Sequence, residues 1–544
     1  MNPVEEATMD RRAFLQHAAS PRPGRASRVP VPPASRPAGQ DDDIPLKPLA
    51  IEAGLESYAA PLAQPQAAHL LRRTGFGARP EEIGALVGMD AQSAIPVIVE
   101  AAVNAPLPDP PVWANEAVPR RNDAQRQEYI QNNAEWMLEF RGDWFRQMYL
   151  GGLRERMTLF WHNHFVTEAD AYSRLAVYAY RYVNTLRTHA VGNFKAFVHV
   201  MGTDPAMLFY LNGAQSVAGA PNENYARELL ELFTMGEFDQ QGNPNYTQDD
   251  IQEIARALTG WVPDPFSLTV QHVNVLFDNG EKTIFGRTGA WGYDDVIDIL
   301  FEERGPQIAT FICRKLYQEF VYAAPDESLV SDLADVFVAN NYDLAPVLEA
   351  LLQSAHFMDE EAIGAQIKSP VTMVVGLLQE VLFEMPPDNL FLFLDRFAIL
   401  MEQRVLYPPN VAGWEEHHTW LNTTTLPVRW LVSEFLIYGG RSEQPIDLVP
   451  LAEQVLGALD TPLDPSDPAS VFALPLLLAE HLLPVPPATL DLNPPAEGFS
   501  GDLDNFPIPQ EVLGGPAYVA DLAKIFLVGV PWYEWSLYRP EAAG

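Results

Sequence analysis

The chain has 544 residues, 47% of them hydrophobic and 11% aromatic, with 35 Lys and Arg against 72 Asp and Glu, a formal net charge of −37. A surface that negative repels phosphate backbones and anionic lipid, which argues against nucleic-acid binding and peripheral membrane attachment. The single cysteine, Cys313, rules out an internal disulfide framework and a multi-thiolate metal centre, and no apolar run is long enough to span a bilayer.

In chain order, residues 1–65 read as an unfolded or loosely attached segment, rich in Pro, Arg and Ser and without apolar periodicity. Within it, Met9-Asp-Arg-Arg-Ala-Phe-Leu-Gln16 is similar to a twin-arginine export signal, but Pro21 and Arg22 stand where an apolar stretch is required. The arginine pair points to a periplasmic or secreted protein and the missing stretch to a cytoplasmic one. Lysine occurs only six times against 29 arginines, as a GC-rich genome or a saline setting would give.

Residues 66–438 are patterned for helices almost throughout. Arg79-Pro80 opens a helix with Glu81 and Glu82 in its first turn. From Asn133 to Phe160, residues Trp136, Phe140, Trp144, Met148, Leu153, Met157 and Phe160 recur at three- and four-residue steps, interrupted by Gly151-Gly152. Thr247-Gln-Asp-Asp250 is a capping box before Ile251, Ile254 and Leu258, with Gly260 ending that helix. Further helices are expected over 306–321, 327–340, 344–354 and 370–383, and one strand over Thr269–Leu276. The expected fold is therefore mainly α: a multi-helix orthogonal bundle with at most a small β-hairpin. Residues 439–544 form an acidic, Pro-rich C-terminal segment packed on it; 441–544 alone hold sixteen prolines and a net charge of −12.

Phosphate-binding loops, nucleophile elbows, dinucleotide turns and H-E-x-x-H helices are absent from the sequence, so no nucleotide cofactor is expected. Asp239–Asp250 has the length of a calcium loop but carries Pro244 at the sharp-turn position and ends in Asp, and reads as a plain connection.

Two segments concentrate polar chemistry. In Phe160-Trp-His-Asn-His-Phe165 two imidazoles lie two residues apart, and they reach one ion only if the helix ends there. Glu155 is on the His162 face. The competing reading buries both rings as hydrogen-bonded core residues. In Pro221–Thr234, Glu223, Asn224, Arg227, Glu228 and Glu231 fill one helical arc opposite Tyr225, Ala226, Leu229 and Phe233. This arc is either a solvated ion-pair ladder or the acidic wall of a cleft that His162 and His164 face. Lesser candidates are Asp278 and Lys282 on a polar loop, and Trp414 and Trp420, which either stack on a ligand or plug the core.

With those two segments, His69-Leu-Leu-Arg-Arg-Thr-Gly-Phe-Gly77, Ala257-Leu-Thr-Gly-Trp261, Lys368-Ser-Pro370 and Pro408-Pro-Asn-Val-Ala-Gly-Trp414, the chain resembles the bacterial family known as domain of unknown function 1800 over residues 66–438. The resemblance implies export and a sulfatase-like partner encoded nearby, but no reaction. Phe277 departs from it, standing where relatives tend to carry a histidine before the aspartate. The reading at this level is a cell-envelope or secreted metal-dependent enzyme, hydrolase or oxidoreductase. One divalent transition metal would sit on His162, His164, Glu223 and Glu228, with Glu228 and Glu231 as catalytic bases. Asn222, Asn224, Arg227, Asp278, Lys282, Trp414 and Trp420 would bind ligand. The alternative is a non-catalytic binding or scaffold protein for a surface polymer or for the sulfatase-like partner.

Overall fold

Apolar periodicity becomes helix over most of the chain in the computed structural model, which describes residues 46–120, 125–381 and 385–438 together with 450, 451, 454 and 482. Sixteen helices and two short antiparallel strand pairs occur among the described residues, so the protein is mainly α. The long aromatic stripe is cut at Gly151-Gly152 into the helices Arg126–Leu150 and Leu153–His164. Phe140, Trp144, Met148 and Met157 carry its buried face into one continuous hydrophobic core.

Local signals act as their chemistry requires. The Gln248–Ala257 helix begins in a closed capping box: Asp250 N–H donates to Thr247 Oγ1 at 3.2 Å and Thr247 N–H to Asp250 Oδ2 at 2.9 Å. The helix expected from Pro306 starts earlier and runs over Tyr293–Phe320. It kinks at Arg304, because the Pro306 ring cannot sit in a straight helix interior. The expected strand forms only as Thr269–His272, paired with Trp261–Asp264, and then tightens into the 3₁₀ turn Asn274–Leu276. A second hairpin joins Lys282–Ile284 to Arg287–Gly289.

The ordered chain begins before residue 66. Tyr58 N–H donates to Gln353 O at 2.8 Å, Ala355 N–H to Glu56 O at 2.7 Å, and Leu62 is buried. These backbone bonds hold residues that composition alone marked as loose. The arginine pair at 11–12 and nearly all of the acidic C-terminal segment lie outside the described residues.

One close contact fixes how two helices meet. A Cβ on Gly77 would lie 2.7 Å from Gly376 O, and a Cβ on Gly376 would lie 2.3 Å from Phe76 O. Main chain therefore touches main chain where the Gln64–Thr74 helix ends against Pro370–Val381. The buried pair Arg72–Glu380 at 2.8 Å and the bond from Gly77 N–H to Gln379 Oε1 at 2.7 Å fasten this contact.

Candidate functional site: a cavity lined by cations

His162 is fully buried, and both its ring nitrogens are engaged. The Tyr182 hydroxyl donates to Phe165 O at 2.7 Å, so His162 Nδ1–H, 3.0 Å away, donates to that hydroxyl. Nε2 accepts the Leu406 N–H at 3.0 Å, and burial pushes the imidazole down to about pKa 3. A metal would have to displace a backbone bond to reach His162, which is the core residue of the competing reading. Glu155 is not its partner but forms a buried bidentate pair with Arg187. His164 differs. Its Nε2–H donates to Phe233 O at 3.0 Å, so the lone pair rests on Nδ1, which is buried and has no partner. Burial and the nearby Lys315 ammonium hold this ring well below the usual histidine range.

The acidic helix Glu223–Glu231 forms the ladder. Glu223 accepts from Gln248 Nε2 at 2.7 Å and pairs with Arg227 at 3.6 Å, while Arg227 donates to Gln248 Oε1 at 3.1 Å. Asn222 caps the helix by accepting the Asn224 N–H at 2.9 Å, leaving Asn224 exposed. Glu231 accepts from the Tyr246 hydroxyl at 3.3 Å. Half-buried Glu228 is pushed up to about pKa 7 by burial and then by Glu231. Among the described residues no group of three or more His, Cys, Asp or Glu is placed to hold a metal ion. The expected convergence of His162 and His164 with Glu223 and Glu228 is therefore not found: spacing put the acids on one arc, and tertiary packing turned that arc toward Gln248 and solvent.

Two lesser candidates are structural. Asp278 pairs with Arg256 at 2.9 Å, and buried Lys282 donates to Asp278 O at 2.6 Å and Gly280 O at 2.9 Å, closing its own loop. Asp239 likewise accepts the N–H groups of Gln241 and Asn243, as a turn residue does. Trp414 is buried, its indole N–H donating to Glu402 O at 3.2 Å.

Polar side chains do converge elsewhere. Two adjoining cavities, about 40 and 240 Å³, share Phe160, Asn163, Glu416 and His417 as common walls. The smaller is also lined by Arg73, Arg156, Glu319, Lys368 and Trp420, the larger by His164, Lys315 and Trp414. Of the expected ligand-binding and metal residues, the structure thus brings together His164, Trp414 and Trp420. A larger groove of about 690 Å³ borders Gly151-Gly152, but Arg154 and Glu155 in its wall already bond Ala105 O and Arg187.

The charges in the cavity wall are only partly matched. Arg156 Nε meets Glu319 Oε1 at 2.7 Å and its Nη1 meets Thr372 Oγ1 at 2.8 Å. Arg73 donates to Phe320 O at 2.9 Å and to Glu319 O. Among the described residues Arg73 Nη1, Arg156 Nη2 and Lys315 Nζ make no hydrogen bond, although Lys315 Nζ lies 5.2 Å from the centre of the Phe311 ring and the Arg156 guanidinium 5.8 Å from that of Phe76. Burial and the neighbouring Arg156 push the Arg73 guanidinium down to about pKa 9. Glu416 is pushed up to about pKa 7 by burial and by Glu319, opposed by its bond from Asn163 Nδ2 at 3.0 Å and by Lys315. His417 sits in the left-handed region at φ 62°, a strained setting for a side chain, and is held down to about pKa 4 by burial and Arg73.

Asn163 is the pin of this wall. Its Oδ1 accepts the Trp414 N–H at 2.8 Å, which orients Nδ2 toward Trp414 O and Glu416. The approach needs Gly413, whose φ is 90° and whose Cβ, were there one, would meet Asn163 Oδ1 at 2.3 Å. Asn163, Arg73, Arg156, Lys315, Glu319, Lys368 and Glu416 are the residues sequence reasoning missed. The signal that could have found them was the density of family motifs: HLLRRTGFG, FWHNHF, KSP and the segment after PPNVAGW each send a polar side chain to this one place.

Fold and site together define a mainly helical protein with a half-open cavity whose wall carries both cations and carboxylates. The chain belongs to the family described as Protein of unknown function (DUF1800), whose profile matches residues 69–493, past Tyr438 and into the segment that composition set apart. No curated protein and no solved structure matches it.

Proposed function

We propose that the protein works on a small ligand whose anionic group enters this cavity, in the periplasm or outside the cell. The observation that carries the reading is charge: Arg73, Arg156 and Lys315 line two adjoining cavities in which the described residues place two carboxylates, Glu319 and Glu416, leaving a positive charge over in a chain of net charge −37. Buried like charges are costly unless a counter-charge joins them, and a site kept in that state is one that a ligand completes. Thr372, in the first turn of the Pro370–Val381 helix, lines the same wall, where the positive end of the helix dipole lies. The metal-dependent reading loses its support, because His162 has no free nitrogen and the acidic helix pairs elsewhere. The arginine pair at 11–12 supports the location.

Calorimetric titration with sodium sulfate at pH 6, with sodium chloride as the ionic-strength control, tests the site. Sulfate should bind wild type saturably. Lys315→Ala, which removes a side chain that makes no hydrogen bond to the protein, should weaken binding at least about fivefold while leaving the melting temperature unchanged. Equal affinity in the two proteins, or no saturable binding in wild type, overturns the reading.

A further inference from the structure

We infer that the anion enters together with a proton, which Glu416 carries on Oε2, and that Asn163 is the residue positioning it. The inference rests on the anion site proposed for this cavity and specifies its ligand: an oxyanion such as a carboxylate, sulfate or phosphate group, with an oxygen that accepts the Glu416 O–H.

The atoms make the assignment. Asn163 Oδ1 is fixed by the Trp414 N–H, so its amide nitrogen faces Glu416 Oε1 and donates to it at 3.0 Å. A carboxyl oxygen that accepts this bond is not the one holding the proton, which leaves Oε2 as the donor. Glu416 is also common to both cavities, so whatever occupies either one meets it. Ionised, it would repel an entering oxyanion; protonated, it gives that oxyanion a hydrogen bond.

Its surroundings agree. Asn163, His164 and Arg156 face it from Leu153–His164, Lys315 and Glu319 from Tyr293–Phe320, Arg73 from Gln64–Thr74, Lys368 from the chain before Pro370, and His417 from its own segment. His164 and His417 are neutral near pH 7 and contribute no step there. Glu319 opposes ionisation of Glu416, and burial sets its carboxyl near neutrality. Burial also lowers Lys315 from the ordinary lysine range, so an alkaline loss of binding has two sources, which a Glu416 variant separates.

Sulfate is the probe, because its own charge is constant across the range. Calorimetric titrations from pH 5.5 to 8.5 in buffers of different ionisation enthalpy should show wild-type affinity falling up to about tenfold per pH unit above 7, with proton uptake rising from near zero at the acid end to about one per sulfate bound at the alkaline end. Glu416→Gln, an isosteric mimic of the protonated acid, should bind with the wild-type affinity of pH 6, flat to pH 8 and without proton uptake. Asn163→Ala should move the wild-type midpoint to higher pH, a shift that a merely structural asparagine would not cause. The buffer dependence of wild type needs no variant to fold. Saturable, Lys315-dependent sulfate binding that ignores pH and takes up no proton overturns this inference and leaves the anion site standing. No sulfate binding at any pH overturns both.

Discussion

The helix Glu223–Glu231 and the cavity walls are both rich in ionisable side chains, and they handle them in opposite ways. On the helix, Glu223 and Arg227 are about 40% exposed and find partners one turn away or on the adjacent Gln248. In the cavity, Arg73, Arg156, Glu319 and Glu416 come from four distant parts of the chain and are matched only in part. The contrast teaches how to read charge. A ladder forms easily in water and adds little, whereas unequal charges gathered indoors are costly to fold and mark a place that something else must complete.

The largest expected effect breaks the interior side of that contrast. Glu319→Ala strands Arg156 beside Arg73 and should lower unfolding free energy by about 3–5 kcal/mol in urea titrations; a loss below about 1 kcal/mol would make the interior pair no better than the ladder. His162→Ala comes next. It orphans the Leu406 N–H, removes the donor to Tyr182 and opens a void, for about 2–4 kcal/mol, read from the same titrations.

Acidity sharpens the contrast from both sides. His69 and His162 are held down to about pKa 3 and His417 to about 4. The unfolded chain therefore binds more protons below pH 6.5, and stability should fall as pH drops from 6.5 through 4 toward 3. Glu416 and Glu228 are raised to about 7, so their contribution is whole below the ordinary glutamate range and is lost as pH rises through 7. Glu416→Gln should remove about 1–2 kcal/mol of that alkaline loss after solvent screening, seen as a flatter melting-temperature profile between pH 5 and 8. Glu228→Gln should flatten it less. The smallest effect belongs to the ladder: Glu223→Ala or Arg227→Ala should change stability by under about 0.5 kcal/mol, which thermal melts in low salt resolve.

The same contrast explains what was legible. Features written in neighbouring residues were read directly: the break at Gly151-Gly152, the Thr247–Asp250 cap, and the polar and apolar arcs of residues 223–233. The direction in which an arc faces is not written there. The sequence offered two readings of His162, and choosing between them needed Tyr182 and Leu406, twenty and 244 residues away. Glu416 carried no local sign at all. It follows a turn that reads as an aromatic plug, and only Asn163, 253 positions earlier, makes it a candidate. The family motifs pointed to the right segments but not to the right side chains within them: in FWHNHF the asparagine between the two histidines holds the wall.

The meeting of Gly77 with Gly376 has a consequence for what substitutions the fold tolerates. Because bare main chain touches bare main chain there, the spacing of the two segments is fixed by the thickness of two polypeptides and cannot be taken up by a side chain changing rotamer. One methyl at either glycine would act as a wedge, prising the two segments apart without altering a single charge.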